Sequence, residues 1–166
     1  MSILVANENG NRIIEVFDAS YDKHVEAVAM DLRVSDFDEL FAATGKSPYY
    51  DVVDSWVMSH RRWVVFNKND QAVAVLGVRA EAMFSDYGIP WLLGTKGLDK
   101  MKKFFVKYSK MIINEIKKDF KFLYNYVDTR YLKAIRWLLW CGFTVEDAAP
   151  SGAFGYPFHR FYMECK

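Results

Sequence analysis

The chain has 166 residues, 52% of them hydrophobic, with four prolines and nine glycines, which is material for one packed core and excludes a two-domain array or a disordered tail. Its 22 basic and 21 acidic residues leave a net charge of +1, which excludes the bulk electrostatic attraction behind general nucleic-acid binding. Two remote cysteines exclude a disulfide-held secreted module, the first residues do not read as a signal peptide, and no apolar run reaches the roughly 18 residues of a membrane span, so a soluble intracellular protein is expected.

Residues 1–10 read as flexible or as an extension of the first strand, which covers Asn11 to Phe17. Asp18 or Ser20 is placed to cap a helix over Tyr21 to Met30. Ser35, three residues before Asp38 with Glu39 next, then flags a second helix that ends at Gly45, and Pro48 separates it from a third over Tyr50 to His60, with Val53, Trp56 and Val57 inward. The period changes at Trp63 to Phe66 and Ala72 to Val78, two strands of a hairpin about the polar turn Asn67 to Gln71. Ile89 to Leu93 is a short buried strand with its proline near the start, and Gly94 to Asp99 is a loop. Met101, Phe104, Phe105, Tyr108, Met111, Ile112 and Ile116 recur at helical spacing with lysines between them, giving a long amphipathic helix to about Lys118. Phe120 to Val127 is again a strand, Asp128 or Thr129 is placed to cap the helix Tyr131 to Cys141, and Gly142 ends it. Phe143 to Glu146 and Phe158 to Cys165 are the last strands.

This order specifies a single α/β domain, a central mixed twisted sheet flanked by helices. The strand at Leu92, the helix at Phe105 and the strand at Tyr124 form a crossover, which predicts parallel pairing of the two strands; the hairpins add antiparallel neighbours. Three histidines and two remote cysteines form no metal-ligand spacing, and no Ser-His-acid or Cys-His arrangement supports a hydrolase. Lys102, Lys103, Lys117, Lys118 and Lys121 read as a solvated helix face rather than a nucleic-acid surface. Lys133 and Arg136 lie one helical turn apart, within reach of a common phosphate or carboxylate.

The words from Tyr131 to Phe143 resemble the last helix and Gly-Phe strand entry of the GCN5-related N-acetyltransferases. More narrowly, Asp31 to Leu40, Trp63 to Val78, Pro90 to Thr95, Leu123 to Asp128, Ala134 to Phe143 and the glycine-rich loop before Phe158 and Phe161 resemble acetyltransferase-like and internal-virion-protein-like proteins of short-tailed bacteriophages. The resemblance implies that superfamily's fold, acetyl-coenzyme A as cofactor and an amine as acceptor. It places the nucleotide on Leu93, Gly94, Thr95, Lys96, Gly97, Leu98 and Asp99, with Asn125 beside it, where backbone amides at a helix start meet a pyrophosphate.

The match departs from the family at chemical positions. Of the three conserved loop places, filled here by Gly94, Gly97 and Asp99, only Gly97 agrees, and Asp99 sets a carboxylate where phosphate is expected. Leu138 stands where the family often has a tyrosine that protonates the departing thiolate, and leucine has no proton to give. Tyr124, Tyr126 and Tyr131 are the replacement acids, Tyr124 and Tyr131 the preferred ones; Glu81 is the first candidate base, ahead of His60 and His159. Two functions follow. One is acetyl transfer to a small-molecule or protein amine. The other is a non-catalytic module that binds a phage virion or host protein, in the virion or the infected cell, through an exposed Trp137 or Trp140, which also suit a homo-oligomer.

Overall fold

The computed structural model describes residues 1–166. It begins with a hairpin, β1 (Ser2–Glu8) and β2 (Asn11–Val16), closed by Asn9 and Gly10 at φ 53° and 86°, the positive values that both central residues of a type I′ turn need. Asp18 caps a short 3₁₀ turn, accepting from the Ser20 amide at 2.9 Å, and α1 (Asp22–Ala29), α2 (Val34–Thr44) and α3 (Pro48–Met58) follow. Two expectations are corrected here. Pro48 begins α3 rather than separating it from its neighbour, because the first helical position needs no N–H donor. The buried face of α3 is Pro48, Val52 and Trp56, four residues apart, and Val57 is 66% exposed. Ser35 lies inside α2 and makes no capping bond.

The hairpin β3 (Arg61–Phe66) and β4 (Ala72–Ala80) leads into β5 (Tyr87–Gly94), a short helix α4 (Lys96–Asp99), the long α5 (Lys102–Ile116) and β6 (Phe122–Asp128). After it come α6 (Leu132–Cys141), closed by Gly142 at φ 99°, and β7 (Thr144–Val145), β8 (Ala149–Ser151) and β9 (Tyr156–Glu164). Neither Asp128 nor Thr129 caps α6; Asp128 instead closes the preceding turn by accepting from the Arg130 amide at 2.9 Å. No helix is long and apolar enough to cross a membrane.

The strands form one sheet in the order β1-β2-β3-β4-β5-β6-β9-β7, with β8 also on β9. All pairs are antiparallel except β5 and β6, which α4 and α5 connect as the crossover reading requires. One face carries α5 and α6 over a core that includes Ile112, Ile116, Leu123, Val127 and Leu138. The other carries α1 and α3 over Val25, Val28, Val52, Trp56, Val64 and Val75.

The sheet is continuous from β1 to β5 and then parts. β5 and β6 pair only at Tyr87 with Phe122 and Gly88 with Leu123, and beyond that they diverge. Gly88 permits this one close approach: a Cβ there would lie 2.7 Å from Phe120 Cδ2 and 2.9 Å from Leu123 Cδ2. Gly88→Ala should therefore lower the thermal midpoint by about 3–8 °C, as overpacking by about 1–3 kcal/mol would in a chain of this size. Calorimetric melting checks it, and an unchanged midpoint would mean that the junction is loose.

Candidate functional site

Parting two strands exposes backbone groups that must find other partners. On β5 the residues Gly88, Pro90, Leu92 and Gly94 turn their backbone toward the gap. Pro90 has no N–H to leave unpaired, and its carbonyl accepts from Asn125 Nδ2 at 2.8 Å. On β6 the gap-facing amides belong to even-numbered residues. Phe122 donates to Asp86 O at 3.1 Å, Tyr126 to Asn125 Oδ1 at 2.8 Å, and Asp128 to Glu39 Oε2 at 2.9 Å. Asn125 thus fills the wedge by serving both strands. Past Gly88 and Leu123 the strand alternation turns the N–H and C=O of Leu92 and the carbonyls of Tyr124 and Tyr126 toward the opening, where neither strand pairs with the other.

The wide end of the gap is strapped by α2. Asp36 Oδ2 accepts from the Gly94 amide at 2.7 Å, and the Arg33 amide donates to Gly94 O at 2.9 Å, closing the end of β5. Three residues later on the same helix, Glu39 closes the end of β6. Arg33 ties the strap down, with Nε and Nη2 on the Asp36 carboxylate and Nη1 donating to Asp99 Oδ1 at 3.0 Å. Burial pushes the Asp36 carboxyl up, against the downward pull of Arg33.

This arrangement accounts for the expected nucleotide loop residue by residue. Leu93 and Leu98 are buried in the two cores, and Lys96 is exposed. The Gly94 amide is taken by Asp36; the Thr95 amide by Val73 O at 2.8 Å; the Gly97 amide by Thr95 Oγ1 at 3.1 Å; the Leu98 amide by Thr95 O at 3.1 Å. Gly97 is required by packing, since a Cβ would sit 2.6 Å from Val73 Cγ1. Asp99 turns away from the loop toward Arg33.

Around the gap lies a cleft of about 1270 Å³ whose two walls differ in charge. On the α5–α6 side stand Lys102, Lys133 and Arg136, none with an acidic partner within 4 Å, beside Phe105, Trp137 and Leu138. On the α2–α3 side stand Asp36, Glu39, Asp51 and Asp54, with Arg33 paired to Asp36; Arg79 and the Asp128-paired Arg130 line the cleft as well. Burial pushes Glu39 up to about 7, with Asp36 and Asp128 adding to the shift while the Asp128 amide and Arg33 oppose it. Tyr131 also lines the cleft, its phenol pushed up to about 12, mainly by burial.

Glu81 and Tyr124 do meet: the phenol donates to Glu81 Oε1 at 2.5 Å, and burial, then this bond, push Tyr124 up to about 12. The pair stands outside the cleft, on the open face of β6 near Tyr87 and Arg160. Tyr131 is thus separated from the two residues with which the sequence grouped it. His60 is exposed beside Asp119, and His159 holds Glu146 O at 2.7 Å, neither in the cleft. Trp137 closes the cleft wall, donating to Ser109 Oγ at 3.1 Å, while Trp140 is 44% exposed under Lys110. Sequence reasoning missed Glu39 and Asp36, which it took as part of a helix start, and Lys102, which it took as solvated; it did single out Lys133 and Arg136.

By sequence, no family model and no curated protein matches the chain. By structure it is similar to the ribosomal-protein-S5-alanine acetyltransferase of Vibrio fischeri, with a TM-score of 0.69 and 12% identity over 99% of this chain and 97% of that one. It is similar to a ribosomal L7/L12 alpha-N-protein acetyltransferase in complex with coenzyme A, with a TM-score of 0.70 and 7% identity over 98% of each chain. It also resembles the spermidine N-acetyltransferase of Vibrio cholerae in complex with coenzyme A and spermine, with a TM-score of 0.63 and 12% identity over 95% of this chain and 97% of that one. The fold is that of the GCN5-related N-acetyltransferases.

The Glu39 environment has a consequence for stability. An ordinary carboxyl of pKa 4.5 ionises in the unfolded chain first, while the folded one keeps its proton to about 7, so the folded state binds more protons between these values and loses stability as pH rises through them. Glu39→Gln removes that loss. Relative to the native protein the variant should gain about 1–3 kcal/mol between pH 4.5 and 8. Urea unfolding of both proteins across this range checks it; parallel curves would mean that Glu39 is solvated.

Proposed function

We propose that this chain transfers an acyl group from an acyl-coenzyme A thioester to an amine within the cleft between β5 and β6. The observation that carries the reading is the pairing of an open seam with walls of opposite charge, one suited to a phosphate-bearing donor and the other to a cationic acceptor. The fold supports the donor class, because the similar structures include acetyltransferases in complex with coenzyme A.

The residues fit the two ends of that cofactor differently. The narrow seam beside Leu92 and Asn125 suits an extended arm with amide groups, since Leu92 turns one donor and one acceptor toward the opening. The loop offers a reduced nest, because the Gly94, Thr95, Gly97 and Leu98 amides are engaged within the chain and only that of Lys96 at the start of α4 has no partner. Lys102, Lys133 and Arg136 supply the positive charge instead, as side chains. When bound, the cofactor supplies an acyl group activated as a thioester. The chain's part is to align it along β5, to hold the amine on the acidic side, and to narrow water access with Phe105 and Trp137.

The engaged amides also favour a second reading, the same fold kept without acyl chemistry. The resemblance of the sequence words to short-tailed-phage proteins sets the proposed context for either reading, an infected bacterium or its virions, and co-purification with virions tests that context separately.

Calorimetric titration with acetyl-coenzyme A decides between the readings. Acyl transfer predicts saturable binding that Lys102→Glu and Arg136→Glu each weaken about tenfold at low salt, less at high salt. No saturation up to about 1 mM, a binding free energy weaker than about −4 kcal/mol, in the native chain supports the second reading and contradicts the first. Gly97→Glu is the wrong probe, since its side chain would displace Val73 whether or not a nucleotide binds.

A further inference from the structure

Amine acylation needs a group that removes a proton from nitrogen, and Glu81 stands outside the cleft, bonded to Tyr124. We propose that Glu39 takes the proton from the acceptor amine; this rests on the acyl-transfer reading above.

The argument is one of position and partners. Glu39 sits where α2 crosses the wide end of the gap, with Oε2 anchored by the Asp128 amide at 2.9 Å. Oε1 has no hydrogen-bond partner, and no cation lies within 4 Å of the carboxylate. The other acidic groups around the cleft are differently placed. Asp36 and Asp99 are paired with Arg33, Asp128 with Arg130, and Asp51 accepts from Thr44 Oγ1 at 2.7 Å. Asp54 is exposed and has no hydrogen-bond partner to fix its direction. Glu39 is the one of these groups anchored by the end of β6 itself, half-buried, with one oxygen left to receive a proton.

The charged and titratable groups around it come from each neighbouring element. Its own helix and the residue before it bring Arg33, Asp36 and Asp38; the end of β6 and the turn to α6 bring Asp128, Arg130 and Tyr131; α3 brings Asp51 and Asp54; α4 brings Asp99, the start of α5 Lys102, and α6, across the cleft, Lys133 and Arg136. β5 lines the cleft with the uncharged Ile89, Pro90, Trp91, Leu92 and Leu93. Burial at this place raises Glu39 to about 7, in the range that suits proton transfer near neutral pH.

The step balances as follows. An ammonium acceptor gives one proton to the Glu39 carboxylate, which returns it to water. The neutral nitrogen bonds to the thioester carbonyl carbon, the carbon–sulfur bond breaks, and the nitrogen loses a second proton. Solvent supplies one proton to the departing thiolate. The sum is one amide, one thiol and one proton released. Tyr131, with a phenol near 12, keeps its proton throughout.

The test compares the native chain with Glu39→Gln, which keeps the length and an oxygen for the Asp128 amide, and with Glu39→Asp. Acetyl-coenzyme A binding, thiol release with 1,4-diaminobutane and with Nα-acetyl-lysine amide as probes, and the infrared carboxyl band of the free protein are followed from pH 5 to 9. We expect binding within twofold of native in Glu39→Gln, kcat/KM at least 100-fold lower, loss of the native rise in rate near pH 7, and partial recovery in Glu39→Asp. A native carboxyl band that titrates near pH 7 and is missing from Glu39→Gln completes the expected result. An unchanged rate profile in Glu39→Gln, or no such band, overturns the role of Glu39 while leaving the acyl-transfer reading in place. Absence of acetyl-coenzyme A binding, or binding without acetylation of either probe, overturns both.

Discussion

Everything in this molecule that suggests chemistry depends on the parting of β5 from β6. A parallel pair with only two residue pairs in register is a costly interruption of a sheet, because each lost bond leaves a donor and an acceptor to be satisfied elsewhere. The chain meets that cost residue by residue. Pro90 removes one donor, Asn125 serves both strands from a single side chain, and α2 covers the last amide on each strand with a carboxylate, Asp36 on Gly94 and Glu39 on Asp128. What is left over, the backbone of Leu92 with the Tyr124 and Tyr126 carbonyls opposite, is the open edge on which the proposed function rests.

The same strap gives the cleft its asymmetry. Helix α2 carries its carboxylates to the end of the gap, while α5 and α6 carry Lys102, Lys133 and Arg136 to the other wall. Arg33 pairs with both Asp36 and Asp99, so this corner of the loop holds two acidic groups to one basic group. The departures from the family's loop pattern are therefore one connected change rather than scattered losses. Asp99, Asp36 and Arg33 form a closed set, and the basic side chains without acidic partners lie beyond it.

The element order and the crossover were legible because helical and strand periods, with turn residues between them, are local properties. The opening hairpin had its signal in Asn9-Gly10, a pair suited to a type I′ turn, yet the polar residues around it read as loose chain. Lys133 and Arg136 were legible as a pair because they share one helix face. The strap was not. Asp36 and Glu39 look like any polar helix start, and their role exists only once α2 lies across strand ends that come 58 and 89 residues later. Glu81 and Tyr124 were each noticed, and they do meet, but strand register sets them on the open face of β6 rather than in the gap.

The central claim is that the seam between β5 and β6 receives an acyl-coenzyme A. Amide hydrogen exchange, read residue by residue with and without saturating acetyl-coenzyme A, tests it most directly. The account predicts slowed exchange at Leu92, with further protection confined to the neighbouring ends of β5 and β6 and the first turns of α5 and α6. Unchanged exchange at Leu92, or protection confined to the aromatic face around Tyr87, Tyr124 and Tyr162, would contradict it.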